Sequence, residues 1–288
     1  MNIYLKLALT AVMWGGAFVT GRVAVQHVGA FTAAFGRFAI ATLVLVLWSY
    51  GHRERLTLER SQWLPAFALG FAGVFAYNAF FFLALKTVAA GRAALVVALN
   101  PAAIAVGAAM FFGDALSGLK IAGIGLSLCG AAIVITQGDL SSVVAEGVGI
   151  GELALLGCVV SWVVYTLLGR WAMKYLTPTS ATTWACGTGT VMLAVPALIE
   201  GAAIDLWRAP PIAWICIVYL GILASAACFI WYYEGVQAIG PAKAAVFINL
   251  VPVSAIALGA IFLQEPISPA IALGGALVVT GVYATNRA

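Results

Sequence analysis

Charge is what this sequence has least of. Of its 288 residues only 8% are Asp, Glu, Lys or Arg, about a third of the share in a soluble globular domain. Metal-ligating residues are also scarce. The histidines, His27 and His52, fall in loops, and the cysteines at 129, 158, 186, 216 and 228 are scattered through apolar segments without a C-x-x-C pair. Neither a metal site, nor a disulfide frame, nor a cofactor is expected. The cysteines read as small hydrophobes. There is no Gly-rich phosphate loop, which argues against an ATP-driven pump. Paired carboxylates or Ser/His and Cys/His sets at membrane depth are missing too, which argues against an enzyme acting on lipid-linked substrates. A nucleic-acid partner would need a basic soluble surface studded with aromatics, and none is encoded.

What remains is apolar. The composition is 64% hydrophobic, with a mean hydropathy of +1.08, so the natural solvent is lipid. A spanning helix needs roughly 20 apolar residues. Such stretches recur at about 4–25, 31–50, 63–85, 90–112, 117–136, 149–172, 179–200, 212–236, 240–264 and 268–286. The expectation is an all-α polytopic membrane protein of ten helices. Lys6 precedes the first stretch as in an export signal, but no soluble domain follows it, so it reads as helix 1. With the N-terminus inside, Arg53, Arg55, Arg60, Lys120, Arg170, Lys174, Lys243 and Arg287 fall on the cytoplasmic side, as short basic loops do. Arg22, Lys86, Arg92 and Arg208 are left opposite, and both termini are cytoplasmic on this reading.

The chain repeats. At a shift of 151 residues, Pro101 falls on Pro252, Gly123 on Gly274, Gly130 on Gly281, Leu69-Gly70 on Leu220-Gly221, and Asp114 shares a column with Glu265. At a shift of 148, Trp14 falls on Trp162. Residues 1–137 and 138–288 thus read as two five-helix units of one membrane domain. An odd helix number makes the second unit enter upside down, the inverted-repeat plan of many secondary transporters.

The Ala-rich entry, mid-helix Pro, following acid and Gly-spaced last helix of each half, with FGRFAIATLVLVL in helix 2, resemble the ten-helix EamA branch of the drug/metabolite transporter superfamily. Within it the chain is most similar to bacterial YddG-type exporters of aromatic amino acids. The resemblance implies a central cavity lined by helices 1, 3, 4, 6, 8 and 9, peripheral helices 5 and 10, and export of small metabolites across the bacterial inner membrane. The small four-helix members of that superfamily carry a glutamate in their first helix, where this chain has tryptophan.

Several residues are unusual for their depth. Pro101 and Pro252 fall near helix centres, where each removes an N–H and crowds the carbonyl four residues back. They mark a kink satisfied by neighbours, or a hinge. Asn100 and Asn249 beside them offer donor and acceptor atoms, either to a zwitterion in a cavity or as glue between helices. Trp14 and Trp162 sit mid-helix, although tryptophan favours the interface. Tyr165 shares the face of Trp162; Tyr77 and Asn78 precede phenylalanines 80 to 82, and Tyr232 lies in a WYY run. With Trp14, Tyr77, Asn78, Phe81, Asn100, Trp162, Tyr165, Tyr232 and Asn249, Trp184 completes the expected substrate-binding set. Such aromatic walls with polar tips suit an amphipathic ligand.

No acid lies at the midplane, and Arg37, about two turns from the outer end of helix 2, is close enough to snorkel outward. The expected activity is therefore downhill export of a net-neutral solute, an aromatic or other bulky amino acid, by alternating access. A drug or nucleobase-like solute is the alternative. Gly123/Gly130 and Gly274/Gly281, each pair two turns apart, mark close helix packing. The expected partners are lipid and a small-molecule substrate, with the protein a monomer or weak homodimer.

Overall fold

Short capping signals cut the apolar chain into helices. In the computed structural model, which describes residues 1–54, 56–85, 96–136, 149–263 and 269–288, α1 (Ile3–Val25) starts where the Asn2 side chain accepts from Tyr4 N at 3.0 Å. After α2 (Ala30–Gly51), α3 (Arg60–Leu69) opens with a Glu59/Gln62 capping box. Thr177 caps α8 (Pro178–Glu200) by accepting from Ser180 N at 3.1 Å, with Pro178 in the first turn where its missing N–H costs nothing. That helix stops at Gly201, whose φ of 97° favours glycine. Lys86, Arg92, Glu265 and the loop after Thr136 lie outside the described residues, as do the side chains of Arg22, Phe82 and Glu152.

The described chain is helical, with no strand. Among the described residues, six helices are long and apolar enough to cross a membrane: Ile3–Val25, Ala30–Gly51, Arg60–Phe81, Leu153–Ala172, Pro178–Glu200 and Pro211–Ile239. Shorter apolar helices run over Asn100–Phe112, Gly118–Ile133 and Pro241–Ser254. The protein is a multi-pass membrane protein.

The prolines explain part of this shortening. A hinge or helix break, or else a kink satisfied by neighbouring helices, was the expectation at both. α5 (Asn100–Phe112) begins at Asn100, so Pro101 occupies its first turn. In the other half, α12 (Pro241–Ala245) passes through a 3₁₀ turn over Val246–Asn249 into α13 (Leu250–Leu263). The break therefore lies one turn before Pro252. Ile248, whose carbonyl the Pro252 ring would crowd, lies in the 3₁₀ turn outside regular α-helix hydrogen bonding, which relieves the clash there; in the other half a turn at Ala98 and Leu99 separates Val97 from α5.

Two widened turns were not expected at all. A π-helical segment, Gly70–Ala76, joins α3 to α4 (Tyr77–Leu85), and a second, Ile222–Ala227, joins α10 (Pro211–Gly221) to α11 (Cys228–Ile239). Such turns occur frequently at functional sites.

Helix α6 (Gly118–Thr136) packs on α14 (Pro269–Arg287). A methyl group at Gly123 would sit 2.9 Å from the Gly281 carbonyl, and one at Gly130 would sit 2.6 Å from the Gly274 carbonyl. The four glycines thus face one another across a single antiparallel seam, close enough for backbone contact.

Ion pairs close one end of the bundle. Lys6 pairs with Glu234, and Arg170 with Asp114 at 2.7 Å, each pair joining the two halves of the chain. Arg170 belongs to α7 (Ile150–Ala172). All four side chains keep contact with solvent, so a pair contributes about 0–1 kcal/mol. Lys6→Ala is expected to lower the thermal midpoint by no more than about 3 °C, checked by fluorescence-detected melting of the purified protein.

Candidate substrate chamber

The matched tryptophans meet. Trp14 on α1 and Trp162 on α7 stand edge to face with ring centroids 5.5 Å apart. Around Trp162 lie Tyr77 at 5.5 Å, Tyr165 at 5.2 Å, Phe229 at 5.8 Å and Tyr232 at 5.5 Å. Tyr77 in turn stacks on Phe81, 6.1 Å away. The edge-to-face and tilted contacts are those that ring quadrupoles favour. Both halves of the chain contribute to this one cluster.

Glycines on neighbouring helices let the rings in. A Cβ at Gly73 would run into the Tyr165 ring, and one at Gly169 would lie 2.7 Å from the Tyr233 hydroxyl. Tyr233 stacks on Tyr165 at 4.8 Å and donates to its carbonyl at 3.1 Å. The Tyr232 hydroxyl bonds with that of Thr166 at 3.0 Å. Trp162 Nε1, the Tyr165 hydroxyl and Asn100 Oδ1 are buried without a hydrogen-bond partner. Buried polar atoms are seldom left unpaired, and each needs a reason.

The second π segment ties the cluster to α2. Its Ala224 carbonyl accepts from Trp14 Nε1 at 2.9 Å and from Arg37 Nη2 at 3.5 Å. Arg37 does not snorkel outward. Its Nε donates to Ser225 Oγ at 2.6 Å and its guanidinium lies 4.8 Å from the Phe38 ring centroid, so the charge turns into the bundle. The wider turn supplies the acceptors that make this inward rotamer favourable.

Not every expected residue joins the rings. Trp184 donates to the Leu56 carbonyl at 2.9 Å and lies 5.2 Å from Trp63. It lines a separate open groove of about 620 Å³ with Tyr50, Glu54 and Thr57. Asn78 spends its amide on the Val74 carbonyl within the widened turn. Asn249 donates to Ser127 Oγ on α6 at 2.7 Å, which is the role of glue between helices. Phe229, absent from the expected set, touches Trp14, Trp162 and Tyr165. Its spacing of three from Tyr232 was the available signal, since residues three apart share a helix face.

On the side of Leu7, Thr10, Phe247 and Ile248, the space beside Trp14 and Tyr232 is about 160 Å³ and too narrow to admit water. The wet chamber expected from the sequence is therefore shut at this level.

The same folding pattern recurs among known proteins. The model of the EamA-like transporter family matches residues 1–136 and 149–287, nearly the whole chain. This chain belongs to the EamA-like transporter family. Among other members of this drug/metabolite transporter group, "Uncharacterized transporter YyaM" of Bacillus subtilis is 29% identical over 99% of this chain and 94% of its own length. A Streptantibioticus cattleyicolor protein named "Probable terminal-alkyne amino-acid exporter" is 30% identical over 98% of this chain and 92% of its own. A solved crystal structure, 22% identical, superposes with a TM-score of 0.78 over 97% of this chain and 95% of that one. This EamA-family chain thus has the fold of a transporter, and its relatives are named as transporters.

Proposed function

We propose that the protein is a secondary carrier that exports small, net-neutral amino acids with aromatic or other bulky side chains, by alternating access between two inverted five-helix units. The observation that carries this reading is the ring cluster centred on Trp14 and Trp162, one tryptophan from each half. Apolar ring faces suit the side chain and attract an ammonium group. Unpaired atoms on Trp162, Tyr165 and Asn100 offer polar partners that a purely apolar solute would leave unused.

Two-fold correspondences support the inverted repeat of ten spans. Gly123 faces Gly281 while its counterpart Gly274 faces Gly130. A methyl on Gly70 would touch the Ala185 carbonyl at 2.8 Å, and one on its counterpart Gly221 would touch the Arg37 carbonyl at 2.8 Å. Asp205 accepts from Gly29 N at 3.2 Å at the start of α2, and Glu54 accepts from Thr177 Oγ1 at 3.3 Å at the start of α8. The family model also matches in two stretches, one per half.

In this proposal the ion-paired end faces the cytoplasm of a bacterial inner membrane, with both chain ends on that side. The narrow space beside Tyr232 favours a carrier whose cytoplasmic side is closed in this conformation. The amino-acid exporter among its relatives favours the substrate class.

Counterflow in liposomes tests this. Radiolabelled L-phenylalanine and L-leucine should exchange at least tenfold faster than a nucleoside or a cationic drug, and an imposed pH gradient should not drive their accumulation. Equal rates for all solutes, or proton-driven accumulation, would overturn it.

A further inference from the structure

Arg37 is a cation inside the bundle with no counter-charge among the described residues. Among the described residues no carboxylate pairs with it, and the ionisable side chains that act on it are Tyr77, Cys186 and Cys228. Burying a cation without an anion is among the costliest placements open to a side chain, and within a membrane it marks a functional site by default. Packing does not account for it. Of five N–H donors on the guanidinium, protein acceptors take the Nε/Nη2 edge, at Ser225 Oγ and the Ala224 carbonyl. The Nη1/Nη2 edge keeps its protons.

Arg37 and Tyr77 are half-buried, so both keep some accessible surface. Among the described residues Nη1 has no protein acceptor, and it is not one of the fully enclosed atoms. Through the shared Ala224 carbonyl the guanidinium stands one acceptor away from Trp14, at the edge of the ring cluster. The Phe38 ring at 4.8 Å and the hydroxyl of Ser225, itself donating to the Leu220 carbonyl at 2.8 Å, hold the fork in place.

We propose that Arg37 is the anchor for the substrate's carboxylate, so that the carrier selects solutes that place a carboxylate beside an apolar side chain and rejects uncharged ring compounds. Two parallel N–H donors match the two oxygens of a carboxylate, a geometry that lysine cannot reproduce. A bound carboxylate also supplies the missing counter-charge. The amino group of the same solute then falls toward the faces of Trp14 and Trp162. This rests on the reading that the ring cluster lies on the substrate's path, and it narrows that reading to one chemical head group.

The experiment measures ligand-induced thermal stabilisation of the purified full-length protein with four probes: L-phenylalanine, L-phenylalaninamide, benzoate and benzamide. The wild type should bind each carboxylate at least tenfold more tightly than its amide. Arg37→Gln should abolish that preference, and Arg37→Lys should retain part of it. Loss of preference in a monodisperse Arg37→Gln protein supports the anchor; an undiminished preference overturns it. Should Arg37→Gln fail to fold, the wild type still decides, because equal affinity for carboxylates and amides overturns the proposal. Benzoate binding that needs Arg37, with no amino-acid exchange in liposomes, would sustain the anchor and sink the amino-acid reading. Amino-acid exchange unchanged in Arg37→Gln would do the reverse.

Discussion

Trp162→Ala is expected to slow amino-acid counterflow about 30- to 100-fold. The indole is the hub of the ring cluster, in contact with Trp14, Tyr77, Tyr165, Phe229 and Tyr232. A ring contact is worth about 0.5–1.5 kcal/mol beyond its buried area. Losing two such contacts with the bound side chain, each in the upper half of that range, gives about 2–3 kcal/mol, and each 1.4 kcal/mol is about tenfold in affinity. The same truncation also leaves a void, with a stability cost of about 3–5 kcal/mol, so the variant alone does not separate binding from folding. Trp162→Phe does. It keeps a smaller aromatic ring in the wall while removing the unpaired Nε1–H together with the indole's second ring; the protein should melt within about 5 °C of wild type and slow counterflow roughly three- to tenfold, the effect of about one hydrogen bond or one ring contact. Initial rates in liposomes loaded with equal amounts of monodisperse protein make the comparison. If Trp162→Ala transports within twofold of wild type, the solute does not pass these rings.

Why could the tryptophan pair be read from the sequence while Arg37 and the widened turns could not? Repetition carries the first. Trp14 and Trp162 occupy matched columns, and a mid-membrane indole is rare enough to be noticed twice. The glycines at 123, 130, 274 and 281 were legible for a similar reason, because a missing side chain directly encodes a close approach. Polarity is of little use for the rest. Lipid is as apolar as the interior of the bundle, so the sequence does not mark which face of a helix turns inward, as it does in water. Trp184 sits within a helix as Trp162 does, yet its indole donates to Leu56 beside a peripheral groove.

Arg37 illustrates a different limit. Its distance from the end of α2 permits a side chain directed to the interface, and the inward rotamer is favoured only because Ser225 and Ala224 are waiting 188 and 187 residues further along. Those acceptors belong to a π segment. A π segment is a change of hydrogen-bond register from i→i−4 to i→i−5, which leaves no periodic trace in side-chain type. The recurrence of Leu-Gly at 69–70 and 220–221, at the entry to both segments, was the one clue available. Asn249 shows how a correct residue can be given the wrong neighbour: its break in the helix was foreseeable from Pro252, but the hydroxyl it binds, Ser127, belongs to the other half of the chain.

Gly281→Val is expected to destabilise the protein by about 3 kcal/mol, lowering its thermal midpoint by about 6–12 °C. A Cβ at this position would lie 2.5 Å from the Gly123 carbonyl oxygen and 2.7 Å from Ser127 Cβ. Backbone is the obstacle here, so no rotamer change can make room, and the branched side chain forces α6 and α14 apart along the seam. Separation by even a fraction of an ångström forfeits a quarter to a half of each dispersion contact. In lipid this loss is not offset by a hydrophobic force that presses the helices back together. Gly125→Ala supplies the comparison on the facing helix, α6. No atom lies within 4 Å of its Cβ position, so its melting point should stay within about 3 °C of wild type, the scale of helix propensity alone. The seam also holds Ser127, which receives the amide of Asn249. Gly281→Val should therefore loosen the start of α13 as well, and hydrogen exchange of residues 246–250 should rise in that variant but not in Gly125→Ala. If both variants melt alike, the four glycines are not what holds α6 against α14.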